Sequence, residues 1–225
     1  MPEGQSHELL PTIKLAWAWL WCLGVRQRRP KDATEKLQMS MRVTAKSRYN
    51  AAARLQFQSK FAFFATTLLS LGLILIPLMQ NAAIPLAFKA NVLNMVQLFL
   101  AVASLVYSVV IGTAQFDVRA EKLTECGNRL KDLIREIERD YEKSPTLFPD
   151  KLSDYQRRYS DVVTDSENHD RSDYHFAILE MSNDYFITGI PWIIMYVNAI
   201  LSRCIAYIAP LLMMYFEVIF GGGFN

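Results

Sequence analysis

Two uncharged apolar runs, only ten residues apart, limit what this chain can fold into. The first covers residues 61–79, between Lys60 and Gln80; the second covers 90–116, between Lys89 and Asp117. At about 1.5 Å per residue, the 19 residues of the first run make roughly 28 Å of helix, close to the roughly 30 Å hydrocarbon core of a bilayer. The 27 residues of the second are enough to cross with tilt, or to emerge as helix on one side. A soluble chain of 225 residues has no use for two such runs in tandem. The expected fold class is therefore an all-α membrane protein. It is built on a transmembrane helical hairpin that cytoplasmic helices extend, with an apolar membrane-associated segment at its C-terminal end.

Charge orients the hairpin. The overall charge of +2 hides an asymmetry, because residues 1–60 carry a net +7 and residues 117–184 a net −6. Arg42, Lys46, Arg48, Arg54 and Lys60 crowd the approach to the first run, whereas the connector 80–89 holds only Lys89. Basic residues stay cytoplasmic, so the N-terminal side and the chain after Asp117 are expected inside and the connector outside. The location implied is the inner membrane, crossed more than once, with the N-terminus in the cytoplasm. Topology and attraction to anionic lipid explain the basic arm better than direct nucleic-acid binding does.

Outside the hairpin the signals are local. Residues 15–25 read LAWAWLWCLGV, too short to span. Trp17, Trp19 and Trp21, followed by Arg26, Arg28 and Arg29, suit an interfacial anchor on lipid, with packing on the protein's own spans as the alternative. Residues 1–32 are thus an arm, broken by Pro30. Residues 33–60 have neither Pro nor Gly and run as helix into the first span, where Gly72 and Pro77 lie toward the outer end. Beyond Asp117, Leu123, Cys126, Leu130, Leu133 and Ile137 recur at 3-4-3-4 spacing. This narrow seam joins protomers in an oligomer or pairs within one protomer. Residues 144–153 carry two prolines, 154–163 and 174–184 read as short helices, and 164–173 is a polar loop. Residues 144–184 are a cytoplasmic region of loop and short helices.

The segment 185–220 is apolar, with Arg203 and Glu217 its only charges, and at 36 residues is too long for one span. The favoured reading is one span over 185–202, with the remainder at the opposite interface or packed on other spans. Two short passes are the alternative. Residues 185–225 as a whole are expected to be embedded in the membrane.

Catalytic signals are sparse. His169 beside Asp170, with His175 and Asp173, has the look of a weak metal site, but a hydrated loop explains the same residues better. The cysteines Cys22, Cys126 and Cys204 fit no metal spacing, and no Gly-rich phosphate loop is present. The sequence calls for no cofactor, no metal and no catalytic residue. The second span says more. Asn94, Gln97, Ala101, Ser104, Ser108 and Gln115 form one stripe at helical steps, suited either to close helix packing or to lining a water path. Asp184, Thr188, Pro191, Asn198 and Ser202 form a second stripe that would face it. No carboxylate or lysine lies within the first two spans, which argues against proton-coupled transport.

Three ordered stretches carry a resemblance. Arg48, Tyr49, Asn50, Ala51, Ala52, Ala53, Arg54 and Leu55 precede the first span. Arg119, Ala120, Glu121, Lys122 and Leu123 follow the second, with Cys126 and Leu130 beyond. Glu167, Asn168, His169 and Asp170 come next, then Asp173, Tyr174 and Ala177. This set, over about residues 40–180, resembles the SLATT family of bacterial two-span membrane effectors, named for association with SMODS-type nucleotidyltransferases and SLOG-type nucleotide sensors. It makes residues 33–143 the family core. The resemblance implies a homo-oligomer that permeabilises and depolarises the inner membrane in antiviral defence, with abortive infection as the outcome. A nucleotide-signalling, nucleotide-sensing or reverse-transcriptase module would be its trigger. The rival readings are a non-conducting scaffold that recruits a cytoplasmic partner, and a membrane-bound hydrolase using His169 and Asp170.

Overall fold

The computed structural model describes residues 26–82, 88–143 and 149–221. The interfacial tryptophans Trp17, Trp19 and Trp21 lie outside the described residues. In order, the elements are β1 (Arg26–Gln27), α1 (Ala33–Asn81), α2 (Ala90–Ala114), α3 (Phe116–Lys143), α4 (Pro149–Thr164), α5 (Arg171–Glu180), β2 (Tyr185–Phe186), α6 (Ile190–Cys204), a 3-10 turn (Ile205–Tyr207) and α7 (Ile208–Gly221). The fold is all-α, as expected, and among the described residues the two short strands form the only sheet. The chain divides into two compact units: Met1–Ala52 with Lys122–Arg203, and Ala53–Glu121 with Cys204–Asn225.

The first unit holds an apolar core between α1, α3 and α4. Asp32 starts α1 by accepting the Glu35 amide at 2.6 Å, and the Glu35 carboxylate in turn accepts the Lys31 amide. These contacts satisfy donors that a helix start leaves open. Leu37, Met41 and Ala45 of α1 then pack on Cys126, Leu130, Leu133, Ile134 and Ile137 of α3 and on Tyr155 of α4. The 3-4-3-4 seam is therefore the protomer's own core. Leu130 and Ile137 are wholly buried, and Leu123, Cys126 and Leu133 nearly so. Within this chain the apolar stripe of α3 is covered by α1 and α4.

Apolar contact joins α1 and α3, and ion pairs run from α3 to α4. Arg158 grips Glu136 with both guanidinium nitrogens, at 2.9 and 2.8 Å, and Lys151 reaches Asp140 at 3.1 Å. Exposed pairs of this kind contribute little. Close approach of α1 and α3 depends on Gly127, where a Cβ would come within 2.8–3.1 Å of the Tyr49 ring. Tyr49 donates to Asn128 at 2.7 Å. A second, smaller core joins Val43, Ala177, Ile178 and Tyr185, and β1 pairs antiparallel with β2, Arg26 opposite Phe186.

The second unit has the inverse pattern. Ala62, Ala65, Leu69, Ile76 and Met79 of α1 are buried, as are Leu93, Leu100 and Ser104 of α2. Large apolar side chains such as Phe63, Leu71, Ile74, Met95, Leu98 and Val109 point outward. Large apolar side chains facing outward are what lipid selects, since hydrocarbon does not drive helices together by hydrophobicity. Among the described residues, three helical stretches are long and apolar enough to cross a membrane: Ala33–Asn81, Ala90–Lys143 and Ile190–Ile219.

Two boundaries differ from expectation. The helix does not run smoothly out of the second span. Gln115 adopts the left-handed conformation (φ 47°), ends α2, and its carbonyl accepts the Arg119 amide at 3.1 Å. The last apolar segment starts as strand and turn, and becomes helix only at Ile190 after Gly189 (φ 69°). Residues up to Arg203 group with the first unit, and those from Cys204 onward group with the hairpin. The single span expected over 185–202 therefore begins late, and the portion beyond it is the part that packs with the hairpin helices.

Candidate functional site

In the second unit the candidate site is the stripe on α2, which the structure splits by exposure. Ser104 is buried, and Gln97 is half-buried with its amide donating to the Leu73 carbonyl of α1 at 3.1 Å. Asn94, Ala101, Ser108 and Gln115 remain exposed. Asn94 accepts a long bond from Gln80 at 3.4 Å, and Ser108 bonds back to the Ser104 carbonyl at 2.8 Å. Two members thus serve packing inside the protomer, while four face outward seven residues apart. Gln115 lies one residue past the end of α2, so the helical stripe proper holds Asn94, Ala101 and Ser108.

The second stripe does not exist as a face. Asp184 and Thr188 precede α6, and so share no helix with Asn198 and Ser202. Asp184 is instead buried against Arg28 at 3.3 Å and Arg42 at 3.9 Å. Arg28 also pairs with Glu35 at 2.7 Å, while Arg26 and Arg29 are exposed.

In the first unit two stretches of the resemblance converge. Asp170 caps α5 in a reciprocal box with Asp173, whose carboxylate accepts the Asp170 amide at 3.2 Å. Asp173 is wholly buried and pairs with Arg203 at 2.9 Å. The Arg203 guanidinium lies 4.0 Å from the Phe176 ring centroid. Asn50 donates to the Asp173 carbonyl at 3.4 Å, and the buried Arg48 donates to the Glu167 carbonyl. His169 stands beside Arg48 with its Nδ1 unpartnered. Burial, and after it the Arg48 charge, hold the imidazole below its ordinary value; burial and Arg171 do the same at His175.

This cluster is a clasp. Its carboxylates are committed to a helix cap and an ion pair, and its guanidinium groups to a carboxylate and a carbonyl. Among the described residues no three His, Cys, Asp or Glu stand close enough to hold a metal ion. The loop expected over 164–173 ends early because α5 starts at Arg171, with the two aspartates as its cap.

Sequence reasoning passed over three contacts. The sequence marks Arg203 and Glu217 only as the charges of the last apolar segment, and Asp184 only as part of a stripe. Each is an isolated charge at or within an apolar segment, and that isolation was the available signal.

The comparisons agree with this architecture. The family model described as "SMODS and SLOG-associating 2TM effector domain family 5" matches residues 30–219, most of the chain. No curated protein and no solved structure matches it. The match starts after the tryptophan arm and runs through α7, so the last apolar segment belongs to the family region that the resemblance had left out. The chain belongs to this SLATT family, and membership makes it a membrane effector of the kind found in antiviral defence systems.

Proposed function

We propose that this chain is the pore-forming effector of a bacterial antiviral defence system. Copies assemble in the inner membrane, open a water path and depolarise the cell. The observation that carries the reading is the outward face of α2, where Asn94, Ala101 and Ser108 recur every seven residues and are exposed. Seven-residue spacing is the repeat that lets like helices wind around one another. Small and polar residues allow close approach in lipid, and an amide and a hydroxyl can face water once several copies close a ring. Gln115 continues the spacing at the cytoplasmic mouth.

The trigger acts on the first unit, whose charged helices are the surface that a nucleotide-signalling, nucleotide-sensing or reverse-transcriptase module would meet. Because the seam on α3 is occupied within the protomer, assembly falls to the hairpin helices. The orientation follows from charge, with the N-terminus cytoplasmic, and Arg26 and Arg29 hold anionic lipid beside the arm.

The test is single-channel recording of the purified full chain in a planar bilayer, with Asn94→Leu/Ser108→Leu alongside. These two positions are preferred to Gln97 and Ser104, whose loss would disturb packing inside the protomer. Stepwise conductance in the wild type, lost in the variant at equal incorporation, is the expected result. No conductance from wild type recorded together with its activating module would overturn the reading in favour of a scaffold.

A further inference from the structure

The hairpin unit contains one buried acid with nothing to neutralise it. Glu217 of α7 is only 8% exposed, and its Oε1 has no hydrogen-bond partner. The carboxyl lies over Gly72 of α1, in the space a Cβ would occupy, so any larger residue at 72 would collide with it. Here glycine serves close approach rather than an unusual backbone angle. Gly72 is eleven residues after Phe61 and seven before Met79, well inside the charge-free run. The acid is therefore seated at depth, in a notch shaped to receive it.

The surroundings offer no counter-charge. Residues 61–79 of α1 and 90–114 of α2, the helices packed near α7, hold no Asp, Glu, Lys, Arg or His; Lys60 and Lys89 stand outside these runs. The other titratable side chains on these described segments are Tyr107 of α2, and Tyr207 and Tyr215 on the segment that carries Glu217. A lone carboxylate inside hydrocarbon is expelled, paired or neutralised by a proton. Here it is neither expelled nor paired.

We propose that Glu217 is an intramembrane proton-binding site, and that the bound proton keeps α7 seated on Gly72. Loss of the proton charges the carboxyl, drives it from the notch and frees α7 from the hairpin. The ligand is a proton from either membrane face. The proposal stands apart from the pore reading, because it concerns the resting protein and predicts no conductance.

Two measurements on the full chain in lipid nanodiscs test it. The first is labelling with dicyclohexylcarbodiimide, which partitions into lipid and reacts with protonated carboxyls. The acid proton passes to one nitrogen, the carboxylate oxygen adds to the central carbon, and the acyl group then migrates to nitrogen without a leaving group. Peptide mass mapping should show this adduct at Glu217 at neutral pH, falling to background at alkaline pH and in Glu217→Gln. No adduct at Glu217 at neutral pH would mean an ionised carboxyl, held by a cation or by water, and would overturn the proposal. The second is hydrogen exchange of the α7 amides across the same pH range, corrected for the intrinsic rate. Protection should fall with rising pH in the wild type and stay level in Glu217→Gln. Identical profiles in the two proteins would overturn the latch even if labelling succeeded.

Discussion

Leu130→Ala separates the two uses that a 3-4-3-4 seam can have. Leu130 is wholly buried in α3, inside the core that α1, α3 and α4 build. Truncation removes three carbon atoms from a site closed on all sides, and changes of this kind cost about 2–5 kcal/mol through lost transfer energy plus a cavity. At about 1.4 kcal/mol per tenfold, that is a shift of roughly 30- to 4,000-fold in the folding equilibrium of the first unit. The cost should lie in the upper half, because three helices frame the site and Leu133 and Ile137 hold its wall in place. The assay is denaturant unfolding of the purified full chain in detergent, followed by hydrogen exchange of α3 and α4, at two protein concentrations about tenfold apart. The loss should be the same at both concentrations, and the oligomer population, read by native mass spectrometry, should not change. Unaltered local stability with a concentration-dependent loss of oligomer would refute the reasoning and return the seam to the interface between protomers.

Other outcomes follow from the clasp and the glycine contact. Asp173→Asn removes the carboxylate that Arg203 pairs with and should cost about 1.5–3 kcal/mol by thermal unfolding, with protection lost first in α5. Gly127→Ala places a methyl against the Tyr49 ring and should cost about 1–3 kcal/mol despite better helix propensity; Tyr49→Ala in the same chain should return part of it. Burial and Arg48 depress the folded-state value of His169, so on acidification the unfolded chain takes the proton first. The stability owed to the neutral ring is complete above about pH 6.5 and is lost as pH falls below it. The melting temperature should drop in that window, and by less in His169→Gln.

The hairpin was legible because a run without charge and of bilayer length has few other meanings. The seam was legible too, but its partner was not. Periodicity shows that Leu123, Leu130 and Ile137 share a face; it does not say whether that face meets Met41 of the same chain or a second copy. The break at Gln115 was hidden because a left-handed residue other than glycine leaves no mark in composition. The clasp was hidden for a different reason. Asp173 meets Arg203 and Asp184 meets Arg28 across 30 and 156 residues of chain. Local patterning carries no information over such separations, so His169 and Asp170 looked like isolated chemistry when their neighbours were structural partners. Helical spacing puts Asn94, Gln97, Ala101, Ser104 and Ser108 on α2, and only packing shows that Gln97 and Ser104 are covered inside the protomer while Asn94 and Ser108 are exposed.

The central claim is that copies of this chain open the membrane through the outward face of α2. Membrane potential in growing bacteria, followed with a voltage-sensitive dye after induced expression with the activating module, tests it most directly. The account predicts rapid depolarisation by the wild type, and none by Asn94→Leu/Ser108→Leu at equal abundance in the membrane. Depolarisation by both proteins alike would contradict it.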